Sequence, residues 1–143
     1  MIVSGFDFPD DLHYLVEHQT WARLEPDGRA TVGITAMGIR LAGEIYMCRP
    51  KSVGQTVEQG RSVAVVELAK AIVSVKSPLS GTVVDVNPAL ASRPELVHLD
   101  PYRDGWVARL QPTAWSTEHH ALIHGEAVAA AMAHHAWLHQ LAP

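Results

Sequence analysis

The sequence predicts a mainly β domain, a sandwich or flattened barrel, followed by a helical segment. Three observations predict it: short alternating or apolar runs recur up to Pro112, glycine and proline punctuate them, and an alanine- and histidine-rich stretch follows. The boundary is therefore placed with residues 1–112 as the β domain and 113–143 as a helical extension. A chain of 143 residues suits one core with an appended segment.

Taken in order, Thr20–Leu24 and Arg29–Thr35 flank the turn Glu25-Pro-Asp-Gly28, which predicts an antiparallel hairpin. Thr35–Leu41 reads as a short helix ahead of Gly43. Further strands are expected at Glu44–Cys48, Ser62–Glu67, Ala71–Val75, Thr82–Val86 and Gly105–Leu110, with Gly54, Gly60, Pro78, Gly81, Asn87 and Pro88 between them. The segment from about Thr117 to Leu141 reads as one helix or a pair, capped by Ser116 or Thr117, weakened at Gly125 and stopped by Pro143. Trp21, Tyr102 and Trp106 are expected to pack the sandwich, and Trp115 and Trp137 to dock the extension on it.

Composition removes several functions. Eleven cationic against fifteen anionic side chains, with no basic run, leave no stripe for neutralising nucleic-acid phosphates. No apolar stretch approaches the ~18 residues of a membrane span, and acids rather than cations follow the N-terminus, so a cytoplasmic protein is expected. The single Cys48 can neither close an internal disulfide nor build a zinc site alone, and its strand setting suggests a small buried group.

Lysine is scarce: only Lys51, Lys70 and Lys76 occur among the eleven cations. Two apolar strands flank Ala69-Lys70-Ala71, and these small neighbours leave the amine open to an acylating enzyme. A primary amine on a flexible stem is a natural anchor for a swinging group. By itself the local pattern is explained more simply by a charge that solubilises a hairpin tip or blocks edge pairing.

The stretch Val66-Glu67-Leu68-Ala69-Lys70-Ala71, followed by Ser77-Pro78-Leu79-Ser80-Gly81, resembles the lipoylation segment of glycine cleavage system H proteins. There a Glu-Ser-Val-Lys-Ala core precedes a Pro-x-Ser-Gly turn. The resemblance extends to Trp21, Gly28, Thr31–Thr35, Gly43-Glu44, Val53-Gly54 and Val57–Gly60, and to Glu95–Trp106, which is similar to Glu-Leu-Val-Asn-x-Asp-Pro-Tyr-x-x-Gly-Trp. It covers residues 12–112. It implies a lipoyl-bearing barrel-sandwich hybrid motif, a carrier rather than a catalyst, with lipoic acid amide-linked to Lys70. Glu67 and Gly81 would belong to the surface that a lipoate-attaching ligase or transferase recognises, and Lys76 does not match the modified position.

Departures from the pattern bear on cargo. Where the family shows Ser/Thr-His-Glu-Trp this chain has His18-Gln19-Thr20-Trp21, after Gly-Ile-Thr it has Ala36-Met37-Gly38, and four residues after the lysine it has Ser74 instead of Asp. A protonated amine leaving water needs acidic or hydrogen-bonding partners, so Thr20, Met37 and Ser74 suit an aminomethyl cargo less well. In this respect the chain is similar to lipoate-binding proteins of the sulfur-oxidizing heterodisulfide-reductase-like system, which implies a partner complex of that kind. The alternative is a glycine cleavage H protein served by the glycine cleavage enzymes, with dihydrolipoamide dehydrogenase a further partner. A third reading is an unmodified interaction or metal-binding module: His120/His124 and His135/His139 have i,i+4 spacing. No acidic or cysteine ligand completes such a set, so no metal is expected.

Overall fold

A computed structural model describes residues 1–141. The chain opens with a small hairpin, β1 (Ile2–Val3) and β2 (Phe6–Asp7), and continues through β3 (His13–Leu15), β4 (Thr20–Leu24) and β5 (Ala30–Ile34) as an antiparallel meander. The expected β4–β5 hairpin forms for the expected reason. Gly28 takes φ +89°, which glycine adopts at least cost, and the Asp27 carboxylate accepts the Arg29 N–H at 3.0 Å. Thr35 then caps α1 (Ala36–Ala42), its hydroxyl accepting the Gly38 N–H at 3.0 Å.

Five strands follow: β6 (Met47–Pro50), β7 (Thr56–Val57), β8 (Ser62–Glu67), β9 (Ile72–Lys76) and β10 (Gly81–Val86). A short helix α2 (Leu96–Leu99), strand β11 (Ala108–Pro112), a one-turn helix α3 (Trp115–Glu118) and the longer α4 (Ala127–Leu138) complete the chain. The strands make a six-stranded sheet in the order β3-β4-β5-β11-β10-β7 and a three-stranded sheet in the order β6-β8-β9. Between them lies one apolar cluster that includes Val32, Ile34, Ile45, Cys48, Val63, Val66, Val83 and Leu110. This is the mainly β barrel-sandwich architecture that the sequence predicts.

Two strands begin later than their apolar runs do. β6 starts at Met47 instead of Glu44, because the Ile45 N–H is taken by His98. β11 starts at Ala108 instead of Gly105, because the Gly105 N–H goes to the Asp100 carbonyl at 2.8 Å.

The extension is not one helix. Gly125 at φ +71° ends any continuous path between α3 and α4, and a 3-10 turn occupies His119–Ala121. α3 begins at Trp115, so Ser116 and Thr117 lie inside it and cap nothing. Pro143 lies outside the described residues. Val128, Met132 and Ala136 of α4 dock into a second apolar cluster with Phe8, Leu12, Tyr14, Trp21, Met37 and Tyr102. Trp115 packs half-buried against the main core, whereas Trp137, expected to dock, is 74% exposed. Among the described residues no helix is long and apolar enough to cross a membrane.

Candidate functional site

The β8–β9 hairpin carries the site. Its strands pair Ala64 with Val75, Val65 with Ser74, Val66 with Val73 and Glu67 with Ile72, and the Leu68 N–H closes the tip on the Ala71 carbonyl at 2.8 Å. β-branched residues fill the pleat, while Ala69, Lys70 and Ala71 are exposed beyond the last paired position. The Lys70 amine makes no ion pair or hydrogen bond among the described residues. Beside it a recess of about 410 Å³ is walled by Ala42, Gly43, Glu44 and Tyr46 on one side and by Leu68–Ala71 on the other. An exposed, unengaged amine next to a recess of largely apolar and aromatic lining fits an amide-tethered group.

The other lysines are placed differently. Lys76 sits half-buried within β9 opposite Ser62, and Lys51 has its amide bound to the Val63 carbonyl at 2.9 Å, away from the hairpin tip. Glu67 stands half-buried at the end of β8, its carbonyl taking the Tyr46 N–H at 2.9 Å.

Gly81 does not belong to a surface. It is buried in β10 between Val57 and Pro112, and a Cβ there would lie 2.5 Å from the Gln111 carbonyl oxygen. Its absent side chain serves close backbone approach. The Pro-x-Ser-Gly turn is held from a distant part of the chain. Ser80 donates its amide to the Glu118 carboxylate at 2.7 Å and its hydroxyl to the same group, while the Gln59 side chain spans the Pro78 and Glu118 carbonyls.

A second cavity, about 240 Å³, lies between the sheets near α1 and is lined by residues including His18, Thr20, Ile34, Val73 and Ser74. Ala42 lines both this groove and the recess beside Lys70. Thr20 Oγ1 and Ser74 Oγ are buried without a hydrogen-bond partner among the described residues. Among the described residues no carboxylate lines the groove. Met37 is absent from it too: its side chain is fully buried in the second apolar cluster, so the expectation that it shapes cargo binding is corrected. A buried unpaired hydroxyl is costly, so each of these two leaves a bonding capacity unused beside the groove.

Cys48 is buried, and burial pushes its thiol up to about 12, so it supplies no thiolate near neutrality. The histidines do not converge on a metal. Among the described residues no three His, Cys, Asp or Glu side chains form a metal-sized cluster. His135 and His139 have ring centroids 4.4 Å apart without a third ligand, and His124 instead stacks on His13 at 4.0 Å. Sequence reasoning missed the Glu118–Ser80 clamp, the His13–His124 stack and the His98–Ile45 contact. Each joins residues far apart in the chain, and no local pattern marks them.

Comparison with known proteins agrees with this geometry. The family model for the glycine cleavage H-protein matches residues 12–135. The chain is 36% identical over 126 residues to glycine cleavage system H protein 3 of Aquifex aeolicus, covering 86% of this chain and 78% of that one. It is 46% identical over 101 residues to the glycine cleavage system H protein of Xanthomonas euvesicatoria, covering 71% and 76%. A crystal structure of a glycine cleavage system H protein from Mycobacterium marinum aligns with a TM-score of 0.69 at 34% identity, covering 75% of this chain and 87% of that one. On this match the chain belongs to the glycine cleavage H-protein family, whose members are carriers with covalently attached lipoic acid and not catalysts.

Proposed function

We propose that Lys70 bears the lipoyl group and that the protein carries cargo between the enzymes of glycine cleavage. The observation that carries this reading is the unengaged Lys70 amine at the β8–β9 tip beside its recess. A bound dithiolane supplies thiol–disulfide chemistry. The protein's part is to hold the anchor away from its own body, keep it free of ion pairs and offer a largely apolar recess next to it. Glu67, three residues before Lys70 on the incoming strand, is the side chain we assign to recognition by the lipoate-attaching enzyme.

The test is intact-mass analysis and peptide mapping of native protein beside Lys70→Arg. A lipoyl mass on the Lys70 peptide, lost in the variant, is the expected result. An unmodified native pool or a lipoyl group on Lys76 overturns it.

The family resemblance supports the glycine cleavage enzymes as partners better than a sulfur-oxidizing complex. One observation favours the second reading, in which a heterodisulfide-reductase-like complex is the partner and sulfur the cargo. Thr20 and Ser74 line the groove with buried, unpartnered hydroxyls, and among the described residues no carboxylate there neutralises an ammonium group. Aminomethylation of the lipoylated protein by purified glycine cleavage enzymes supports the first reading. Failure of that loading, with a family H protein loading normally beside it, favours the second.

A further inference from the structure

We infer that His98 is a proton-sensitive positioning residue for the wall of the recess beside Lys70. The Ile45 N–H donates to His98 Nδ1 at 2.9 Å. A ring nitrogen that accepts a hydrogen bond carries no proton, so this contact exists only with neutral His98 protonated on Nε2. The donor is inside: Ile45 is 1% exposed and belongs to the main core.

The contact acts on the recess through the chain. Ile45 lies in the loop joining α1 to β6, between Glu44 and Tyr46, and both neighbours wall the recess. The next amide, Tyr46 N–H, is held by the Glu67 carbonyl on the strand that leads to Lys70. At the loop's other end the Gly43 N–H closes α1 on Ile39 at 2.7 Å. Of the three amides that fix this loop, only that of Ile45 depends on a titratable acceptor. Protonation of His98 puts an N–H against an N–H, stranding a buried donor and releasing the wall that faces Leu68–Ala71.

The ionisable groups on the elements around His98 are Arg40 of α1, Glu44 and Tyr46 of the loop, and Glu95 and Asp100 on either side of α2. None of them forms a hydrogen bond or ion pair with the imidazole among the described residues, where Ile45 is its partner. The pattern that this segment resembles has asparagine at this position, and an asparagine carbonyl can accept a hydrogen bond but does not titrate.

The importance of this wall rests on the reading of Lys70 as the anchor, but the tether itself is tested without any modification. Amide exchange is measured on full-length unmodified protein between about pH 8 and pH 5 and expressed as protection factors, which remove the intrinsic pH dependence of exchange. Ile45 protection is expected to fall, by up to about tenfold per pH unit, as the pH is lowered, while Val32 and Leu110 in the core stay level. His98→Asn is expected to hold Ile45 protection constant across the range. PH-independent protection in the native protein, or the same fall in His98→Asn, overturns the inference. Either result leaves the lipoyl assignment, read by mass, untouched.

Discussion

Trp21 lies against the bare backbone of Gly33, its cross-strand partner: a Cβ on Gly33 would come within 2.5 Å of Trp21 Cζ2. The indole is fully buried and its Nε1–H donates to the Ile34 carbonyl at 3.1 Å, so it has no free direction in which to yield. Gly33→Ala is therefore expected to overpack the β4–β5 pair and cost about 1–3 kcal/mol. Urea denaturation followed by tryptophan fluorescence measures it, and an unchanged midpoint would show that the indole can move.

Gly81→Ala separates a structural role from a recognition role. The added methyl meets the Gln111 backbone, which cannot swing aside, so a comparable loss of about 1–3 kcal/mol is expected. Lipoylation rate, measured at a temperature where the variant is fully folded, is expected to match the native rate. Glu67→Ala is expected to do the reverse, slowing lipoylation with little change in stability.

A carboxylate restored to the groove changes its preference for charge. Ser74 Oγ is buried without a partner there, and Ser74→Asp offers an anion to an ammonium terminus. A hydrogen bond to a charged group contributes about 1.5–3 kcal/mol. Loss of an aminomethyl cargo from the lipoylated variant is expected to be at least about tenfold slower than from the native protein, as followed by formaldehyde release.

Acid is expected to loosen the attachment of the extension. Burial, reinforced by His124 and His119, holds His13 down to about 4 against an ordinary value of 6.5. The unfolded chain then binds the extra proton, so the stabilisation is complete above pH 6.5, declines as pH falls toward 4, and changes no further below that. Burial lowers His135 as well, with His139 and His134 adding to the effect, and it works in the same sense. Urea midpoints are expected to drop between neutral pH and pH 4, with a shallower fall in His13→Gln.

Much of the fold was legible because its signals are local. Turn residues and alternation placed β4, β5, β8 and β9 to within about a residue or two, and the helix expected over Thr35–Leu41 forms as α1, with Thr35 standing just before it as its cap. The amine at the hairpin tip was legible for the same reason: two apolar runs and two alanines around Lys70 need no distant partner to be noticed. The extension was less readable, since Gly125 could weaken a helix or end it, and its positive φ decides for ending.

What the sequence alone determined is the longer strands, the hairpin and the lysine at its tip, all products of periodicity and turn chemistry within a few residues, whereas the short strands β1, β2, β3 and β7 carry too few residues to show a period. Tertiary structure decided the rest. It buried Met37 away from the groove and hid Gly81 in a ladder, and it brought Ser80 together with Glu118 and Ile45 with His98. These pairings depend on which buried donor or acceptor meets which partner once two sheets close over one core, a condition satisfied in space and not along the chain.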